Sequence, residues 1–171
     1  MVITRQANIP EDLDQVRGLL CEYLNWVERQ LGALDIEVAD VDAMMTRTLS
    51  NLDVYMPPEG RLLLAEYQSA PAGVIYLKRI RSDACELKRM YVSPSFRGLG
   101  IGQSLLDRAI DEAQIAKYSQ IMLDSIEFMQ QAQKLYLSHG FVKTDAYPES
   151  EMKTPLRDNL IYMCLDLGEK H

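Results

Sequence analysis

The sequence predicts an α/β domain on a mixed sheet, with antiparallel strands first, a parallel β-α-β unit at the centre and helices on both faces. Three observations carry this reading. Apolar residues near the N-terminus recur at helical spacing. Three strand-like runs then succeed one another across short turns. After them come a glycine-rich bend, an amphipathic helix and a short, strongly apolar strand suited to a sheet covered on both sides.

Element by element, residues 2–6 form a short first strand. Leu13, Val16, Leu20, Tyr23, Leu24 and Val27 mark a helix from about residue 11, which ends near Gly32. A second helix is expected over 38–49 and a loop over 51–60. Strands come next at 61–67, 73–80 and 85–92, with turns at 68–72 and 81–84. Ser93-Pro94-Ser95 stops the third of these. Leu105, Leu106, Ala109, Ile110 and Ala113 line the apolar face of the next helix. A strand at 120–125, a helix at 127–139 closed by Gly140, and strands at 141–146 and 160–167 complete the chain. The order is βααβββαβαββ, with no repeat or linker, so residues 1–171 read as one domain.

A chain of 171 residues buries a core without staples, and 47% hydrophobic with 25% charged residues is the composition of a soluble globule. No segment has the apolar length of a membrane span, and Met1-Val2-Ile3-Thr4-Arg5 lacks the layout of a signal peptide, so a cytoplasmic location is expected. Cys21, Cys85 and Cys164 stand apart in apolar surroundings with no CxxC pair, and the histidines are His139 and His171. Buried reduced thiols are expected, and no metal site. A net charge of -7 argues against a nucleic-acid binder. An anionic ligand is still compatible, because Lys88, Arg89, Arg97 and Arg108 cluster locally.

The central signal is Arg97-Gly98-Leu99-Gly100-Ile101-Gly102-Gln103 between a strand and a helix. A helix N-terminus offers unpaired N–H groups and a positive dipole end, and glycines let a phosphate approach that backbone. Arg97 can add charge at the rim. A P-loop fits badly because Gly102 is followed by Gln103-Ser104 and no lysine. A dinucleotide fingerprint fits badly, since Gln103 stands where its last glycine belongs and antiparallel strands precede the loop. The plain alternative is a glycine-rich connection that only turns the chain into the helix.

Arg97-x-x-Gly100-x-Gly102 resembles the Q/R-x-x-G-x-G/A motif of the GNAT superfamily of N-acetyltransferases. Residues 85–92 look like that family's strand before the loop, and residues 132–141 resemble its helix ending in LY-x-x-x-GF. The order of elements is similar over nearly the whole chain. The resemblance implies a GNAT-like fold in which the backbone of Arg97, Gly98, Leu99, Gly100, Ile101, Gly102 and Gln103 holds the pyrophosphate of acetyl-CoA. It implies that the pantetheine arm enters where the strands at 85–92 and 120–125 splay. An N–H among Met90, Tyr91 and Val92 would donate to the thioester carbonyl.

Direct acetyl transfer needs a proton acceptor for the amine and a donor for the leaving thiolate. By resemblance Glu86, six residues before Val92, is the candidate base, and Tyr136, the tyrosine of the LY motif, the candidate acid. Strand alternation puts Glu86, Lys88, Met90 and Val92 on one face. The competing roles are a solvated ion pair of Glu86 with Lys88 or Arg89, and a core tyrosine. Asp124 ends a parallel strand at the expected mouth of the cleft, where it can touch substrate or cap a helix. Trp26, Tyr55, Pro57 and Tyr147 are candidates for the acceptor pocket. Met129 departs from the family, many of whose members carry asparagine there. The expected acceptor is a small-molecule amine, and dimerisation is common in the family. A non-catalytic acyl-CoA-binding module is the alternative, and a nicotinamide enzyme is disfavoured by Gln103.

Overall fold

Strands β1 (Val2–Gln6), β2 (Arg61–Tyr67), β3 (Ala70–Arg79) and β4 (Ala84–Val92) form an antiparallel meander. The computed structural model describes residues 1–37, 40–151 and 156–168. Strand β5 (Gln120–Ile126) adds to β4 in parallel, and β7 (Leu160–Asp166) is then inserted between β5 and β6 (Val142–Thr144). The seven-stranded order is β1-β2-β3-β4-β5-β7-β6. Helices α1 (Leu13–Gly32), α2 (Val41–Ser50), α3 (Ile101–Ile115) and α4 (Gln130–Ser138) complete the element order read from the sequence.

The two-residue period of the strands sorts the core into two layers. Leu63, Ala65, Ile75 and Leu77 point to one face and pack with Leu105, Leu106 and Ala109 of α3. Their neighbours Leu62, Leu64, Val74 and Tyr76 point to the other and pack with Val16 and Leu19 of α1. Each fully buried leucine contributes about 1.5–3 kcal/mol of transfer free energy, so both faces are needed to fix the sheet. Gly73 lets α3 sit this close, since a Cβ there would lie 2.8 Å from the Tyr91 carbonyl and 3.0 Å from Leu105.

Several boundaries differ from the sequence reading for local reasons. The β2–β3 turn is shorter than expected because Gln68 and Ser69 both take positive φ, which closes a two-residue hairpin. Helix α2 begins at Val41 with Asp40 capping the Asp42 amide, and the expected start at residues 38 and 39 lies outside the described residues. Helix α4 starts only at Gln130, because the Glu127 amide is tied to the Asn159 carbonyl and the Met129 amide to Ile126. Cys85 is buried, but Cys21 lies exposed on α1 rather than in an apolar setting. No helix among the described residues is long and apolar enough to cross a membrane.

Candidate active site

The site begins with a defect in the central strand. Tyr76 pairs with Lys88 and Val74 with Tyr91, so three steps of β4 run against two of β3. The extra residue is accommodated at Arg89, whose φ is +49. A non-glycine residue in that region costs about 1–2 kcal/mol. The bulge reverses the alternation of β4. Cys85 and Leu87 face α3 before it, Met90 and Val92 face α3 after it, and Tyr91 turns to the α1 side. Glu86 and Lys88 therefore do not share a face with Met90 and Val92, which corrects the simple alternation expected from the sequence.

The same bulge opens the sheet. Parallel pairing of β4 with β5 runs only from Ala84↔Gln120 to Glu86↔Met122. Past that point each strand has an unpaired edge. Ser93 still donates to the Ala72 carbonyl across the β3 side, so alternation aims the polar groups of Val92 toward the gap. The Val92 carbonyl there accepts from Arg97 Nε at 3.1 Å. A cleft of about 450 Å³ occupies the gap, walled by Met90, Tyr91 and Val92 on one side and Phe128, Met129 and Leu135 on the other.

Arg97, Gly98, Gly100, Ile101, Gly102 and Gln103 line the end of this cleft. Gly98 and Gly100 have φ of +79 and +77, and Gly100 in the left-handed region is the N-cap from which α3 starts. A Cβ on either would meet nothing within 4 Å, so the space above the loop is open. No N–H of residues 98–103 donates to a protein acceptor among the described residues; the first to do so is Ser104, to the Gly100 carbonyl. A row of free amides at the positive end of a helix, open to a cleft, has the geometry and charge that suit a phosphate-bearing ligand. Arg97 is exposed at its rim with its guanidinium 5.8 Å over the Tyr91 ring. The Leu99 side chain is 43% exposed and is not part of the cleft wall, so only its amide belongs to the row.

Tyr136 of α4 is buried, its ring 5.6 Å from Phe141, but its hydroxyl has no protein partner among the described residues. Burial, then Tyr23 and Asp124, push its pKa upward, so it holds a proton at neutral pH. Glu86 is only 1% exposed, on the α1 face of the sheet. Tyr147 Oη donates to its Oε2 at 2.6 Å. Its Oε1 makes no hydrogen bond among the described residues, although Lys88 Nζ stands at 3.3 Å and Lys78 Nζ at 3.9 Å. Burial raises the Glu86 pKa and Asp124 adds to it, outweighing the opposite pull of Lys88, Tyr147 and Lys78. The carboxyl is thus paired, but inside the protein rather than on a solvated surface.

Glu86 and Tyr136 are not in contact; the group both of them sense is Asp124. Asp124 is half-buried on β5 and accepts from Ser150 Oγ at 2.6 Å. Tyr23 of α1 senses Arg89, Asp124 and Lys88. The sequence reading set Asp124 aside, gave Tyr23 and Ser150 no role in the site, and took Arg89 as an ion-pair partner of Glu86 or part of a basic cluster, whereas Glu86 stands beside Lys88 and Lys78 instead. Charged residues within a strand that is otherwise central and apolar were the available signal for Arg89. Of the expected pocket residues, Trp26 reaches the cleft beside Phe128, Tyr147 meets Glu86, and Tyr55 meets Arg89. Among the described residues, no group of three or more His, Cys, Asp or Glu is placed to hold a metal ion.

Known proteins share this architecture. Residues 58–143 match the family model described as an acetyltransferase (GNAT) domain. A Schizosaccharomyces pombe protein named as an uncharacterized N-acetyltransferase is 30% identical over 165 residues, covering 95% of this chain and 93% of its own length. The N-acetylaspartate synthetase of Danio rerio is 33% identical over 111 residues, 64% of this chain and 36% of that protein. A putative acetyltransferase of Salmonella typhimurium, solved with its cofactor acetyl-CoA, superposes with a TM-score of 0.68 at 21% identity, covering 99% of this chain and 95% of that one. With its bulged β4, its splayed neighbour and its open amide row, the chain belongs to the GNAT family of acetyltransferases.

Proposed function

We propose that this chain, acting as one domain over residues 1–171, transfers the acetyl group of acetyl-CoA directly to the primary amine of a small molecule. The observation that carries the reading is the row of free amides at residues 98–103 beside the unpaired edges of β4 and β5. Those amides and Arg97 bind the diphosphate. The gap takes the extended arm as a strand-like segment, and the Val92 N–H is the donor aimed at the thioester oxygen.

In the transfer, the nitrogen of the neutral amine attacks the thioester carbonyl; a C–N bond forms and the C–S bond breaks. One amine proton passes to Glu86 directly or through water, and Tyr136 supplies the proton taken by the departing thiolate. A buried Glu86 with a raised pKa is a stronger proton acceptor than an ordinary carboxylate. A phenol that keeps its proton and lacks a protein partner is free to turn to the sulfur. The acceptor's small size is supported by a relative whose name specifies an N-acetylated amino acid as product.

The test is turnover of acetyl-CoA with a panel of amines, read as thiol release together with the mass of the acetylated product. Amine-dependent release is expected. Tight acetyl-CoA binding with no amine accepted would instead favour a binding module of the same fold.

A further inference from the structure

On the α1 side of the splay, one cation and one anion lack oppositely charged partners among the described residues. Arg89 Nη1 donates to Tyr55 Oη at 3.0 Å, and its guanidinium lies 5.7 Å from the centre of the Tyr76 ring. No carboxylate pairs with it among the described residues. Its neighbours differ: Lys78 and Lys88 both pair with Glu86 and Glu151, and Arg81 pairs with Glu149. Asp124, on the facing strand, holds only the Ser150 hydroxyl and pairs with no cation among the described residues. Tyr23 spans the two strands, its ring 5.9 Å from that of Tyr91 on β4 and packed on the cluster that holds Ile126 of β5, the residue two beyond Asp124 on the same face, and it senses both charges. Arg89, Tyr23 and Asp124 each keep partial exposure there rather than being sealed.

A set-in guanidinium is normally satisfied by a carboxylate in a forked pair of hydrogen bonds. This one is held by a tyrosine hydroxyl and a ring face, which orient it and leave donors free. Its backbone sits in the left-handed region to place it there. We propose that the acceptor is a free amino acid, whose carboxylate docks on Arg89 and whose amino group lies toward Asp124 and the thioester. The proposal rests on the acetyltransferase reading above and assigns its substrate class. A charge at each end matches a zwitterion and disfavours a simple polyamine, which would set a cation against Arg89.

The experiment compares matched pairs, each amino acid against the amine that lacks only its carboxylate, such as phenylalanine against phenethylamine, with acetyl-CoA and thiol release. The amino acid is expected to have the higher kcat/KM by about 10–100-fold, the range for charge-assisted hydrogen bonds. Arg89→Gln is expected to raise KM for the amino acid by a similar factor, so that its advantage over the matched amine is lost. Arg89→Lys should recover part of the difference. Asp124→Asn should impair both members of a pair, since both carry the amino group. Thermal unfolding of each variant separates a lost contact from a lost fold.

Equal use of both members of every pair overturns the inference and leaves acetyl transfer standing. Should no pair release thiol while acetyl-CoA still binds, the acetyl-transfer reading fails instead. Calorimetric titration of the CoA-saturated protein with amino acids then decides the Arg89 site, and absence of Arg89-dependent binding overturns it.

Discussion

Removing the hydroxyl of Tyr147 tests whether Glu86 is the proton acceptor without touching the carboxylate itself. Tyr147 Oη donates to Glu86 Oε2 at 2.6 Å inside the protein. That bond favours the ionised carboxylate, and a hydrogen bond to a charged group contributes about 1.5–3 kcal/mol. At 1.36 kcal/mol per pKa unit, Tyr147→Phe should raise the Glu86 pKa by about 1–2 units, less whatever Lys88 and Lys78 restore. The group is already raised by burial, so the change moves it further toward neutrality. The assay is the pH dependence of kcat/KM. The acidic limb should move up by that amount, with activity depressed along the limb and recovered at the alkaline plateau. The same ionisation acts on stability with a fixed sign. Because the folded state binds this proton more tightly, stability is full below the ordinary glutamate pKa of about 4.3 and falls as pH rises through the folded value. In the variant that fall should extend to higher pH. An acidic limb that stays in place, in a variant that folds normally, would show that Glu86 is not the titrating base.

Tyr136→Phe should lower kcat by up to about 100-fold with acetyl-CoA binding nearly intact, and an unchanged rate would make the residue a packing tyrosine only. Gly100→Ala should weaken acetyl-CoA binding, measured by calorimetry, while unfolding shifts by only about 1–2 kcal/mol, because a Cβ there meets no neighbour and the cost is confined to the positive φ. Glu112→Ala should destabilise the fold by about 3–5 kcal/mol in thermal or denaturant unfolding. Its carboxylate holds Arg61 Nε at 2.6 Å with both side chains 10% exposed, and the change would leave that guanidinium without its counter-ion. Burial works against the Glu112 charge, but the Arg61 and Arg108 hydrogen bonds prevail and lower its pKa. That contribution is therefore present above the ordinary glutamate pKa and is lost as pH falls through the folded one.

The elements of this fold were legible because their signals are local. Helical spacing, strand runs and the glycine bend each occupy one stretch of chain, and the element order came from them. The amide row was legible for the same reason, since Gly98 and Gly100 mark it in the sequence. The bulge was not. Nothing about Lys88-Arg89-Met90 distinguishes it from a regular strand, and the extra residue is defined only against its partner β3. Missing it placed Glu86 on the wrong side of the sheet relative to Met90 and Val92. The contact between Tyr147 and Glu86 spans 61 residues and depends on how the loop after β6 folds over β4, so no local pattern announces it.

That single bulge ties the two halves of the proposed site together. A regular β4 would keep Glu86, Lys88, Met90 and Val92 on one face, the face against α3 or the face against α1, but not both. The inserted residue instead leaves Met90 and Val92 lining the α3 side of the gap while Glu86, Lys88 and Arg89 serve the α1 side. In the proposed reaction the thioester and the acceptor then approach through the same opening from opposite faces and can be bound at once, as a direct transfer requires. The left-handed Arg89 backbone costs little beside the groups it positions. In the proposed reaction one strand presents an amide to the acyl group, a carboxylate to the incoming amine and a guanidinium to whatever that amine carries.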